Sequence, residues 1–379
     1  MSTNFRQTVE RLLEGSTVAI DGPSPWDIQV HDERLYGRVL SQGSLGFGEA
    51  YMDGWWDCGQ IDELITRIQR YDVVSKLKPS VKLILDSALA RLMNLQSKRR
   101  AFRIGQAHYD LGNDLYQAML DKRLTYTCGY WNPSTSSGQG ASNLDEAQEA
   151  KLDLVCRKIG LKPGQKILDI GCGWGSFAKF AAEKYGAEVV GITVSKEQVK
   201  LAQDLCRGLP VVIRLQDYRE IEGQFDHIVS LGMIEHVGYK NFRTYYKVVN
   251  RCLKDDGLFL LHTIGGNLSS CDNDPWIAKY IFPNSMLPSA RQLAQAAEGL
   301  FVMEDWHNFS ADYDRTLMAW YANFEAHWEG LKARYDERFR RMWRFYLLAC
   351  AGTFRARQNQ LWQIVYSKKG VPGGYASVR

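Results

Sequence analysis

Beyond residue 145, short apolar runs alternate with longer stretches in which apolar residues recur every three or four positions. The short runs, rich in Val, Ile and Leu, predict strands at 166–170 (KILDI), 187–192 (AEVVGI), 211–215 (VVIRL), 226–231 (DHIVSL), 257–262 (GLFLLH), 300–304 and 361–367. The intervening pattern predicts helices over 145–158, 175–185, 195–206, 241–252 and 289–297, with two long helices at 313–333 and 335–355 before the last strand. Such alternation is the pattern of a mainly parallel sheet covered on both faces, an α/β, Rossmann-like fold. Ahead of residue 150 the rhythm is less regular. A short helix near 4–14, a strand near 27–31 and a glycine-rich aromatic stretch, SLGFGEAYMDGWWDC at 44–58, precede helical spacing over 61–96, as in Ile61, Leu64, Ile65, Ile68, Leu83, Leu85, Leu89 and Leu92. The polar, basic run Gln96–Arg103 marks a boundary between a mostly helical N-terminal domain, 1–100, and an α/β domain, 101–379. The segment NPSTSSGQGASN at 132–143 predicts a surface loop, and the chain carries no internal repeat.

With 45% hydrophobic and 24% charged residues, the 379-residue chain has the composition of an ordinary globular protein rather than a disordered one. Its eight cysteines form no C-x-x-C pair, which argues against a zinc site or a secreted disulfide framework and for reduced thiols in a cytoplasm. No signal peptide or run of eighteen apolar residues is visible, so a soluble protein is expected. The net charge of +4 says little. Residues 71–105, however, carry eight Lys or Arg against Asp72 and Asp86. That stretch is either a solvated helix face or a patch for the phosphates of lipid or nucleic acid, worth about 1 kcal/mol per basic residue at an anionic bilayer.

The candidate chemistry begins at KILDIGCGWGSFAKF, where Gly171, Gly173 and Gly175 follow an apolar strand and open a helix. Glycines let the chain turn sharply and approach a ligand, and the helix presents free N–H groups. The same residues could make a purely structural turn, but Asp169 and the strand spacing favour a nucleotide-like cofactor. A dinucleotide site would put an acid at the end of the second strand. Thr193 stands there instead, with Gln198 on the next helix able to supply a polar contact, and Gln216 and Asp217 follow the third strand where an adenine is read. No constellation for hydride transfer is visible, so S-adenosylmethionine is the better fit.

Six motifs then resemble one family in order and context: TYTCGYW (125–131), ILDIGCGWG (167–175), GMIEHVG (232–238), LLHTIG (260–265), DPWIAKYIFP (274–283) and ADYDRTLMAW (311–320). Together they are similar to the cyclopropane-fatty-acyl-phospholipid synthases, from about residue 30 to about 367. The resemblance implies a class I S-adenosylmethionine-dependent methyltransferase fold, with Tyr126, Thr127, Gly171, Gly173, Thr193, Gln198, Gln216 and Asp217 at the cofactor. It implies a bound bicarbonate as base, near Cys128, Glu235, His262, Ile264 and Tyr313. Cys350 matches a cysteine once favoured as a nucleophile, although no step requires a covalent enzyme intermediate. The presence of residues 1–95, for which the mycolic acid cyclopropane synthases have no counterpart, favours a phospholipid substrate.

The chemistry suits these residues. A cis double bond is a weak nucleophile and must be held against the sulfonium methyl in a dry, aligned pocket. Methyl transfer leaves a carbocation that aromatic faces and negative charge stabilise, and a base then removes a proton from the new methyl as the ring closes. Whether Glu235 lies protonated beside the bicarbonate or accepts its proton is open at this point. The expected substrate is an unsaturated phospholipid drawn from the inner face of the membrane by peripheral contact through 71–105 and exposed Phe47, Trp55 and Trp56. The N-terminal domain would alternatively, or also, form a homodimer contact. An enzyme that stops at a methyl or methylene branch would show the same motifs. A small-molecule O- or N-methyltransferase would need a base near a heteroatom, and a nucleic-acid binder would need stacking aromatics among its basic residues, which are not convincingly placed. Replacing Lys98, Arg99 and Arg100 by Ala is expected to weaken sedimentation with anionic vesicles while leaving cofactor affinity unchanged; unaltered sedimentation would refute membrane docking through this run.

Overall fold

The computed structural model describes residues 2–73, 112–131 and 140–379. Most of the basic stretch 71–105, the helical pattern beyond 73, the expected domain boundary and residues 132–139 of the polar loop lie outside the described residues.

The chain begins with helices α1 (Ser2–Leu13), α2 (Arg34–Gln42), α3 (Ser44–Met52) and α4 (Ile61–Arg70), and strands β1 (Gln29–Val30) and β2 (Trp56–Asp57) pair antiparallel among them. After α5 (Asn113–Met119) and α6 (Leu144–Lys158) the α/β rhythm follows: β3 (Lys166–Ile170), α7 (Ser176–Tyr185), β4 (Glu188–Thr193), α8 (Lys196–Leu205), β5 (Val211–Leu215), β6 (Phe225–Leu231), α9 (Tyr239–Cys252) and β7 (Leu253–Gly266). The last part holds α10 (Pro275–Tyr280), α11 (Ala290–Ala297), β8 (Val302–Asn308), α12 (Ala311–Ala326), α13 (Trp328–Leu331), α14 (Glu337–Arg355) and β9 (Asn359–Ser367). Helix starts carry their own signals. Asn143, Ser195 and Asp336 each accept a backbone N–H from their first turn, Ser289 and Gln292 form a reciprocal capping box, and Asp274 caps a helix with Pro275 at its first position.

Seven strands form one sheet in the order β5-β4-β3-β6-β7-β9-β8. The first five are parallel, and β9 runs antiparallel to both β7 and β8. The order reverses between β3 and β6, which opens the crevice at the carboxyl edge where open α/β sheets bind ligands. Ile167, Leu168, Ile228, Val229, Leu260 and Leu261 are fully buried in the middle of the sheet.

Two boundaries depart from the pattern along the chain. β7 continues past residue 262 to Gly266 because β9 pairs with it as far as Gly266↔Asn359, satisfying backbone groups that a parallel neighbour alone would leave open. The single helix expected over 313–333 breaks at His327 (φ −101°, ψ 4°), whose Nδ1 lies 2.8 Å from the Asn323 carbonyl. The stretch 44–58 is also more ordered than its composition suggests, and its aromatics are not exposed. Trp56 is fully buried and stacked on Phe47 at 4.2 Å, and Trp55 is covered by the Arg34 and Arg38 guanidinium groups at 4.6 and 4.8 Å. The exposure expected of Phe47, Trp55 and Trp56 is therefore not found: Phe47 and Trp56 pack with Tyr51 at the seam between α3 and α14, where Phe345 meets all three rings, and Trp55 is half-buried under the arginines of α2.

The N-terminal helices are welded to the α/β part through α14. A methyl on Gly352 would lie 2.5 Å from the Asp62 carbonyl oxygen, so only glycine lets α4 approach this closely. Three residues on, Arg355 donates to Asp314 on α12 (2.9 and 3.0 Å) and to Asp62 on α4 (2.7 Å). Arg355→Ala is expected to lower the thermal midpoint by a few degrees, on the order of 1–3 kcal/mol once partial solvent screening is allowed for; a calorimetric scan matching the unaltered chain would show that the pairs contribute nothing.

Candidate active site

Three turns at the carboxyl edge of β3, β4 and β5 form the first half of the site. Gly171, Gly173 and Gly175 all take positive φ (83°, 55° and 82°), and a Cβ on Gly173 would meet nothing within 4 Å, whereas one on Gly171 would strike Met233 at 2.7 Å. The backbone thus makes an open cradle that side chains would spoil. Asp169, just before it, is buried with Oδ2 lacking any partner, and burial raises its pKa to about 7. Thr193, at the end of β4, donates to Gln198 Oε1 on α8 at 2.7 Å, so these two are brought together below the cradle. Asp217 accepts from the backbone and guanidinium of Arg219 (2.9 and 3.0 Å), which holds the turn after β5, and Gln216 Nε2 donates to the Glu220 carbonyl at 2.9 Å. An open glycine turn, a buried unpartnered carboxylate and polar groups at the next two strand ends fit S-adenosylmethionine, a ligand with an amine, a carboxylate and ribose hydroxyls.

The segment 121–131 crosses this edge and is gripped from two sides. From α6, Gln148 Nε2 donates to the Thr127 carbonyl (2.7 Å) and Lys151 Nζ to Thr127 Oγ1 (2.6 Å). From α12, Thr316 Oγ1 accepts from the Gly129 N–H (3.1 Å) and the Trp131 indole (2.9 Å), while Asp312 accepts from the Trp131 N–H (2.9 Å). Cys128 is fully buried in this seam, its Sγ 3.9 Å from Thr316 Oγ1, and burial raises its thiol pKa far above the ordinary value.

The second half of the site lies where β6 and β7 part. Gly232 donates its N–H to the His262 carbonyl (2.8 Å), and the chain then turns through Ile234–His236, which brings Glu235 back to β7. Its Oε1 accepts the Ile264 N–H at 2.7 Å, while Oε2 is buried without a partner. Burial raises the Glu235 pKa to about 7, with the Ile264 hydrogen bond opposing. His262 and Ile264, two apart on β7, share one face of the strand. Burial, with Lys151 and Lys158 adding, holds the His262 imidazole well below its ordinary pKa and hence neutral. Gln363 Nε2 lies 3.4 Å from His262 Nδ1, which places the ring proton on Nε2, and that atom is buried and unpartnered too. One acid oxygen and one ring N–H are therefore left without a partner on residues of neighbouring segments, a donor set that a small anion with both donor and acceptor oxygens would complement. Bicarbonate fits this donor set.

Aromatic rings wall the edge. Tyr126 packs against Trp320 (5.1 Å) and Phe282 (6.5 Å) and shares a hydroxyl contact of 2.8 Å with Tyr346. Tyr313, on α12, packs against Trp320 and Phe354 at 5.9 and 4.6 Å. Cys350 lies apart. It lines a cavity of about 470 Å³ between the N-terminal helices, α14 and the loop after β7, with Leu13, Tyr36, Ile65 and Phe345, and burial pushes its thiol up to about 12. Reasoning from sequence missed Lys151, Gln363 and Tyr346, which stand in none of the six motifs. Phe282, Asp312, Thr316 and Trp320 do lie inside quoted motifs, and only packing reveals their use.

Strand order, glycine turn and edge site define the fold class: a class I S-adenosylmethionine-dependent methyltransferase. Residues 96–364 match the family model described as mycolic acid cyclopropane synthetase. The chain is 53% identical to the cyclopropane-fatty-acyl-phospholipid synthase of Escherichia coli, over 99% of this chain and 96% of that protein. It is also 30% identical to a tuberculostearic acid methyltransferase of Mycobacterium tuberculosis, over 95% of this chain and 87% of that one. Among solved structures, a cyclopropane synthase from Mycobacterium tuberculosis superposes with a TM-score of 0.65 at 31% identity, covering 70% of this chain and 98% of that one. The chain belongs to the mycolic acid cyclopropane synthetase family and is a methyltransferase that uses S-adenosylmethionine.

Because the folded-state pKa of Glu235 lies above that of an unfolded carboxyl, its contribution to stability is whole below the ordinary carboxyl pKa and is lost as pH rises toward about 7. Glu235→Gln is therefore expected to be more stable than the unaltered chain near pH 8, on the order of 1–3 kcal/mol, with the difference shrinking toward about pH 5. Thermal midpoints of both chains across this range check it; a constant offset would mean that the carboxyl does not titrate as argued.

Proposed function

We propose that this chain transfers a methylene group from S-adenosylmethionine to the cis double bond of an unsaturated acyl chain in a membrane phospholipid, closing a cyclopropane ring. The observation that carries this reading is the pair of buried, unpartnered atoms, Glu235 Oε2 and His262 Nε2, beside an open glycine cradle. Heteroatom methylation has no need of an anion pocket there. When bound, S-adenosylmethionine supplies the methyl and bicarbonate the base that takes a proton from it.

The residues divide the work. Gly171 and Gly173 admit the cofactor, and Tyr126 and Thr127 lie over it. Thr193, Gln198, Gln216 and Asp217 hold its adenosine part. Tyr126, Tyr313, Phe282 and Trp320 exclude water and offer ring faces to a cation in the acyl chain. Glu235, with Oε1 occupied by the Ile264 N–H, holds its proton on Oε2 and donates it to the anion, so no like-charge repulsion arises. His262 donates from Nε2 and Tyr313 from its hydroxyl, and Cys128 packs behind them. Cys350, a neutral thiol on the wall of the other cavity, takes no part as a nucleophile.

The N-terminal domain, 1–100, serves in this reading to take the acyl chain from the inner face of the membrane, with 101–379 as the catalytic domain. One observation supports it: the apolar cavity begins at Gly266 and Asn267, where β7 ends beyond Ile264, and runs under α1, α2 and α4. A homodimer contact through the same unit is compatible with this role. Incubation with S-adenosylmethionine and vesicles of a cis-unsaturated phospholipid is expected to give lipid with an added methylene by mass spectrometry and high-field ring protons by NMR. Added mass without ring protons would favour the branching reaction. Glu235→Gln is expected to lower kcat by about a hundredfold or more.

A further inference from the structure

We propose that Lys151 is a positioning residue of the cofactor site, fixing the Thr127 hydroxyl as a hydrogen-bond donor to the carboxylate of the cofactor's methionine part. The inference rests on the reading of Thr127 as a cofactor contact. Lys151 stands in the middle of α6 with no exposed surface, beside the apolar core residues Leu152, Leu154 and Val155. An ammonium so placed is costly unless it is paired. Its hydrogen bond runs to Thr127 Oγ1 at 2.6 Å, and the carboxylates of Asp121, in the crossing segment, and Asp169, below the glycine cradle, attract it. Burial lowers its pKa to about 8, with Asp121, the Cys128 thiol and Asp169 opposing.

The direction of this bond has a chemical consequence. An ammonium is a donor only, so Thr127 Oγ1 is the acceptor and the hydroxyl hydrogen points elsewhere. The rest of Thr127 is held: its carbonyl accepts from Gln148 at 2.7 Å, and its methyl lies over Gly232, where a Cβ would come within 2.9 Å of it. With carbonyl, methyl and acceptor side all fixed, the hydroxyl hydrogen is left for a ligand in the crevice between Gly171 and Gly232. The buried positive charge just behind it favours an anionic acceptor there. The only anionic group of the cofactor is its carboxylate.

The test measures S-adenosylhomocysteine binding by calorimetry, without lipid, in the unaltered chain, Lys151→Met, Thr127→Val and the double variant. Each single substitution is expected to raise Kd about tenfold, and the double about tenfold rather than about a hundredfold, since both remove one interaction. An unchanged Kd in Lys151→Met, or additive losses in the double variant, would overturn the proposal, because a merely structural lysine would lower the melting temperature without that coupling. Should Lys151→Met fail to fold, Thr127→Ser and Thr127→Val decide: Ser is expected to retain affinity and Val to lose it, and equal affinities would sink the idea. If the unaltered chain bound no S-adenosylhomocysteine, the cofactor reading itself would fall and the inference with it.

Discussion

The hydrogen bond from the Ile264 N–H to Glu235 is the contact on which the arrangement of this edge of the sheet depends. Where β6 and β7 diverge, the backbone of β7 loses its parallel neighbour, and an N–H left open there would need water. Glu235 supplies the acceptor, which draws a carboxyl into a fully buried place while satisfying only one of its oxygens. That partial satisfaction keeps the group near neutrality and leaves its second oxygen available to a ligand. His262, two residues earlier on the same strand, is treated alike: one ring nitrogen is tied to Gln363 and the other is open. A core built for stability alone would pair both groups, and the half-pairing of these two is what the proposed anion site rests on.

The helices inserted between β8 and β9 cover this edge. α12 carries Asp312, Tyr313, Thr316 and Trp320 within three turns, so one helix both stitches down the segment 128–131 and supplies two of the rings that wall the site. α14 then reaches the other way, to α3 and α4, through Phe345, Gly352 and Arg355. One helix thus touches both the N-terminal helices and, through Tyr346, the ring of Tyr126 at the edge of the sheet.

The α/β half of the fold was legible in the sequence because buried parallel strands are nearly continuous apolar runs and their helices carry caps that local chemistry dictates, as at Asn143, Ser195 and Ser289. The glycine cradle was legible for a related reason: positive φ at Gly171 and Gly173 is a demand on residue type, not on neighbours. The strand ends were less so. β7 outruns its apolar pattern because a partner almost a hundred residues away, β9, satisfies it. Trp55 and Trp56 illustrate the opposite failure. A pair of tryptophans in a glycine-rich stretch reads as surface, yet packing against Phe47 and the arginines of α2 buries one and covers the other.

By itself, then, the sequence determined the α/β class and the place of the glycine turn, because both are written in local spacing, while six motifs carried the resemblance to the family that implied the remaining candidate residues. Tertiary structure alone decided which of those residues meet. It set Glu235 against Ile264 and left Cys350 on another wall. It also brought in Lys151 and Gln363, which no motif announces, since the burial and partial pairing that give them their chemistry come from contacts between segments far apart in the chain.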